Sequence, residues 1–89
     1  MTDNSAPVIK YPILFPLKVI GQDEPDFEDF VIEIVKRHIP ELLEENIISS
    51  QSKEKKYRSV SFKFIAESRA QVDALYAELS SHKRVIMIL

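Results

Sequence analysis

A two-layer α+β sandwich, with two helices on one face of a four-stranded antiparallel sheet, is the fold class this sequence predicts. Three observations predict it. Two stretches carry apolar residues at helical spacing, Phe27-Phe30-Val31-Ile34-Val35 and Val72-Leu75-Tyr76-Leu79. Each lies between short runs of strand character, so the element order reads βαββαβ. Strands joined through a helix cross over right-handed, and two such units interleave into one sheet of spatial order 4-1-3-2, the ferredoxin-like arrangement.

Each element has its own local reason. Residues 1–12 read as a flexible tail, because Pro7 and Pro12 discourage regular structure; a single domain over 13–89 follows. The first strand is expected at Leu14–Ile20, with Phe15, Leu17 and Val19 on one face and Lys18 and Ile20 on the other. Pro16 has no N–H to give, so it belongs near the strand's start or at a bulge. The first helix is expected from about Pro25 to His38, capped by Asp23 or Asp26, with Lys36, Arg37 and His38 in its last turn and Pro40 beyond it. Glu41–Asn46 reads as a connector or one extra helical turn. A second strand from Ile47 fades into serines, and Lys53-Glu54-Lys55-Lys56 makes a polar hairpin tip. Tyr57–Ala66 is the clearest strand: Val60, Phe62 and Phe64 face one way, Ser59, Ser61 and Lys63 the other. Ser68 with Gln71 three residues on is a capping box for the second helix. Val85–Leu89 is the last strand.

Composition narrows the function classes. The chain has 89 residues, 45% apolar and 29% charged, with a net charge of −2, so no global basic field draws it to nucleic acid or to membranes. It has no cysteine, which removes disulfides, thiolate catalysis and zinc–thiolate sites together. The first residues carry no basic and apolar leader pattern, and no apolar run approaches the ~18 residues of a spanning helix. A cytoplasmic protein is expected.

Few residues invite chemistry. His38 and His82 each end a helix in a basic cluster, and with no further histidine or cysteine beside them a helix-end charge is the better reading than a metal ligand. No nucleophile–base pair is visible: Ser59 and Ser61 lie along a strand, without the sharp turn that exposes a nucleophile. The carboxylates Asp23, Glu24, Asp26, Glu28 and Asp29 stabilise a helix N-terminus more readily than they bind a cation, and they argue against a phosphate there. Lys53, Lys55, Lys56 and Arg58 could touch nucleic acid, but the open face of the sheet offers no aromatic platform for bases. No catalytic residue, metal or cofactor is expected.

Two places remain as candidate sites. Gly21 is the only glycine, at the junction of the first strand and first helix. There it can take a positive φ or let a backbone or ligand approach closely. The last strand is apolar on both faces and falls on a sheet edge. With Ile20 and Ile65, Ile86 and Ile88 (or the residues alternating with them) would form an apolar patch on the open face. That patch is expected to meet a second copy or a partner protein, unless Val8, Ile9 and Tyr11 fold over it.

The segments Tyr11-Pro12, Lys18-Val19-Ile20-Gly21-Gln22, Val35-Lys36-Arg37-His38-Ile39-Pro40, Tyr57-Arg58-Ser59-Val60-Ser61, Val72–Leu79 and Val85-Ile86-Met87-Ile88-Leu89 resemble, in order and spacing, the YbeD-like family of small bacterial proteins. The resemblance implies a ferredoxin-like fold similar to ACT-type regulatory domains, and a bacterial regulator, sometimes labelled lipoate-regulatory, with no defined reaction. ACT-type domains often bind amino acids near the first strand–helix turn. By that likeness Gly21, Gln22 and Asp23 would hold a small ammonium-bearing effector, Asp23 supplying the counter-charge. The expected function is therefore a non-enzymatic regulatory or protein-interaction module. An ACT-like metabolite sensor is the alternative, and a weak nucleic-acid binder a further one.

Overall fold

The computed structural model describes residues 10–52, 54 and 56–89. Strand β1 spans Ile13–Gln22, helix α1 Phe27–His38, strand β2 Ile47–Gln51, strand β3 Tyr57–Ala66, helix α2 Arg69–Ser80 and strand β4 Val85–Ile88. The connector before β2 holds a single 3₁₀ turn, Glu44–Asn46. The strands form one antiparallel sheet in the order β2-β3-β1-β4. This is the expected ferredoxin-like α+β fold. Most of the expected tail, including Val8 and Ile9, lies outside the described residues, while Tyr11 packs against the core.

Alternation decides which side chains meet the helices. In β1, Leu17, Val19 and Gly21 are buried; in β3, Val60, Phe62, Phe64 and Ala66 are. They pack against Phe27, Val31, Ile34 and Val35 of α1 and Val72, Leu75 and Leu79 of α2, making one core between sheet and helices. At about 25 cal/mol for each Å² of apolar surface removed from water, this core is the main stabilising term. Among the described residues, the opposite face of the sheet carries no helix.

Three local features differ from expectation. Pro16 sits well inside β1, opposite Lys63. It is tolerated because Lys18 and Leu89 exchange N–H···O bonds of 3.1 and 2.8 Å at the end of β4. Two residues earlier, the Pro16 nitrogen points to the side where β4 no longer runs, so no ladder bond is lost. Helix α1 begins at Phe27, and its N-cap Asp26 makes no side-chain cap bond because its carboxylate is turned to Arg84. At α2, Ser68 caps the Gln71 N–H as expected, but Gln71 reaches past it, accepting from the Glu67 N–H and donating to the carbonyl of His38. That last bond ties the start of α2 to the end of α1. Among the described residues, no helix is long and apolar enough to cross a membrane.

Candidate functional site

The first strand–helix turn is densely bonded from within. Gly21 is not a positive-φ hinge: it lies in β1, between Arg58 of β3 and Val85 of β4. A register shift in the β1–β4 pairing occurs at this point, with Ile20 opposite Met87 and Gly21 opposite Val85, so Ile86 is the extra residue of a bulge. A Cβ on Gly21 would overlap the ring of Phe27 and the carbonyl oxygen of Arg84. The glycine is there so that an aromatic ring and a neighbouring backbone can close over it.

Asp23 is equally engaged. Its N–H donates to the Lys56 carbonyl at 3.0 Å. Its carboxylate accepts from Arg58 Nε at 2.8 Å and from Gln51 Nε2. Arg58 also donates to Ser49 Oγ at 2.6 Å and stands 3.8 Å from Glu28. Arg58, expected with the basic hairpin tip, is thus turned to the helix-facing side and paired there. Lys53 and Lys55 of that tip lie outside the described residues. A second arginine completes the arrangement: Arg84 pairs with Asp26 at 2.6 Å and Glu24 at 3.0 Å, and its guanidinium lies 4.7 Å from the centre of the Phe30 ring. The acidic run at the start of α1 therefore clasps β3 through Arg58 and the α2–β4 turn through Arg84. Gln22 is exposed, and its carbonyl accepts from the Glu24 N–H.

A third polar cluster was invisible in the sequence. Glu78 of α2 accepts from His38 Nε2 at 2.7 Å, pairs with Arg37 at 2.7 Å and has His82 Nε2 at 3.9 Å. The two histidines, read separately as helix-end charges, approach one carboxylate. Among the described residues no group of three or more metal-ligating side chains is placed to hold an ion.

Hydrogen bonds hold three of these carboxylates below their ordinary range, Asp26 through its bonds from Arg84. Asp23 is lowered by Arg58, then Gln51; Glu78 is lowered by His38, then Arg37. A carboxylate whose folded value is depressed adds stability that is complete above its ordinary value, 3.8 for Asp23 and 4.5 for Glu78, and is lost as the pH falls below it. Urea midpoints should therefore drop as the pH falls from neutrality through that range, and Asp23→Asn should flatten the acid limb. An acid limb as steep in Asp23→Asn as in the parent would remove Asp23 from the account.

The open face of the sheet is the second candidate. Cross-strand neighbours form two rows there. One is Ile48–Ser61–Lys18–Leu89; the other is Ser50–Ser59–Ile20–Met87. Leu14 and Ile65 stand opposite each other further along. Leu14, Ile48, Ile65, Met87 and Leu89 are all at least 50% exposed, an unusual density of large apolar side chains on one surface that no helix or strand among the described residues covers. Of the four isoleucines expected here, Ile20 and Ile65 are on this face and Ile86 sits exposed at the bulge. Ile88 is a correction: it pairs with Val19 and packs against the core, because alternation after the bulge turns Met87 and Leu89 outward instead. Tyr57 begins β3 and is the one aromatic added to the open side by alternation, at its far end.

Residues 6–89 match the family described as "Protein of unknown function (DUF493)". A "UPF0250 protein" of Hahella chejuensis is 40% identical, with both chains covered in full. One of Neisseria gonorrhoeae is 33% identical, with 98% of this chain and 96% of that one covered. Among solved structures, protein HP0495 of H. pylori superposes with a TM-score of 0.71 at 19% identity, over 98% of this chain and 91% of that one. The ACT domain of the GTP pyrophosphokinase of Chlorobium tepidum superposes with a TM-score of 0.68 at 9% identity, over 86% and 83%. These two likenesses concern the fold alone.

Proposed function

The chain belongs to the DUF493 family of proteins of unknown function, and from that premise we propose that it is a non-catalytic interaction module that docks a protein partner through the open face of its sheet. The observation that carries this reading is the set of large apolar side chains exposed on one surface among the described residues, Leu14, Ile48, Ile65, Met87 and Leu89. Exposed apolar area of this kind costs solubility and is retained where something covers it. An effector at Gly21–Asp23 is supported by the ACT-like fold. It would have to take Asp23 from Arg58 and Gln51, and the space beside Gly21 already holds Phe27. The open face needs no such displacement.

Site-specific photo-crosslinking tests the reading. A crosslinking residue placed at Ile65 or Ile48 in the full chain, in the native cell, should give discrete higher-mass adducts. The same residue at Asp73, exposed on α2, should give none. Equal adducts from Asp73, or none from either face position, would overturn the proposal. Leu14→Asp and Ile65→Asp should abolish the adduct of a crosslinker at Ile48 while moving the urea midpoint little, since surface changes usually stay within about 0.5 kcal/mol.

A further inference from the structure

Two lysines stand in the middle of this apolar face. Lys18 of β1 is opposite Ser61, and Lys63 of β3 is opposite Pro16, so the two are diagonal neighbours on the open side. Both are exposed, and the ion pairs made among the described residues include neither. Both line one groove of about 540 Å³, whose walls include Pro16, Ile48 and Leu89, with Glu45 at its margin. A second cavity of about 450 Å³, towards Leu14 and Ile65, shares Asn46 and Lys63 with it. The strand side chains of this face are thus apolar towards both ends, with the two like charges of Lys18 and Lys63 at the centre; the carboxylates near by, Glu45 of the first cavity and Glu41 and Glu67 of the second, come from the connectors beside the sheet.

The dimensions of the face point to a helix. Four strands at about 4.8 Å spacing make a face roughly 14 Å across, and an α-helix with its side chains is about 10–12 Å thick. One helix laid on the face would cover the apolar rows and supply a layer that the described residues do not place on this side of the sheet. A second copy of this chain fits less well. A two-fold axis through the groove would bring Lys18 and Lys63 against the same lysines of the other copy, and no strand side chain described on the face would neutralise them, Glu45 standing on the connector at the groove's wall. RNA fits less well too, since bases want stacked aromatics and this face has Tyr57 alone, at its far end.

Resting on the docking-face reading, we propose that the partner element is an acidic amphipathic helix, its apolar stripe on Leu14, Ile48, Ile65 and Leu89 and its flanking carboxylates paired with Lys18 and Lys63. The lysines then select the partner, while the apolar rows hold it.

The test is an amide-resolved NMR titration of the full-length chain with two synthetic helical peptides. Both are about 18 residues long, roughly 27 Å of helix, with one leucine stripe. One is flanked by glutamates, the other by lysines. The glutamate peptide should shift the amides of Lys18, Ser61, Lys63 and Leu89 and bind at least ~10-fold more tightly than the lysine peptide, a difference of about 1.4 kcal/mol. Lys18→Glu with Lys63→Glu should reverse that preference. Lys18→Arg with Lys63→Arg should keep it, which separates charge from misfolding. If both peptides bind this face alike, the acid selection is wrong and the docking face stands. If their shifts fall on α1 and α2, both fail. No shift with either peptide, a self-associated species with Lys18 and Lys63 at its centre, or a single-stranded RNA that displaces the glutamate peptide from these amides would each overturn the proposal.

Discussion

Gly21→Val should lower the stability of this chain by about 1–3 kcal/mol or more, the range seen when a packed interior is forced to accept extra carbons. The reason is local and specific. Two of the atoms a Cβ would strike belong to the ring of Phe27, which is fully buried, and another is the backbone carbonyl oxygen of Arg84. A flexible surface side chain could swing aside; a buried ring and a backbone oxygen next to the β1–β4 bulge cannot do so cheaply. For a chain of this length, each kcal/mol moves the thermal midpoint by about 4–8 °C. Urea unfolding of Gly21→Ala and Gly21→Val should show both weakened, valine more. A Gly21→Val midpoint within error of the parent would mean that the turn opens readily, and the case for a ligand there would improve.

Phe27→Ala should cost about 3–5 kcal/mol, the usual result of truncating a buried phenylalanine. Phe27 is the first residue of α1, has none of its surface exposed and closes the core over the end of β1. Its removal leaves a cavity between the strand and the helix start, next to Gly21, which has no side chain to fill it. The two substitutions should not add. In Phe27→Ala the ring that a new Cβ would strike is gone, so Gly21→Ala should be tolerated better in that background than in the parent. The rescue should be partial, because the Arg84 carbonyl remains. A double-mutant cycle measured by urea unfolding reads this directly. Strict additivity would show that the ring and the missing Cβ do not compete for one space.

Much of the fold was legible because apolar periodicity is a local property. Phe27, Val31, Ile34 and Val35 mark the inner face of α1 whether or not anything else is known, and Val60, Phe62 and Phe64 do the same for β3. Other features were legible in kind but not in partner. The acidic run at residues 23–29 announced a charged helix start, yet its two arginines come from 35 and 58–60 residues away along the chain. No local pattern connects them. The same holds for His38 and Glu78, 40 residues apart. Ile88 shows a third limit: one extra residue at a bulge reverses the facing of everything after it. A strand apolar on both faces gives no sign of where that reversal falls.

By itself the sequence determined the element order, the two amphipathic helices, the right-handed crossovers and hence the 4-1-3-2 sheet with both helices on one face. These follow from side-chain period and chain connectivity, both of which act over a few residues or through chirality. Only the tertiary structure decided what Gly21 is for, which guanidinium each carboxylate meets, and which apolar residues of β4 stay in water. Those outcomes depend on distances between segments remote in sequence, set by how the packed core brings β1, β3, β4 and α1 together. The helix-free face with Lys18 and Lys63 at its centre, as the described residues form it, belongs to both: alternation put each side chain on that side, and the strand register made the two lysines neighbours.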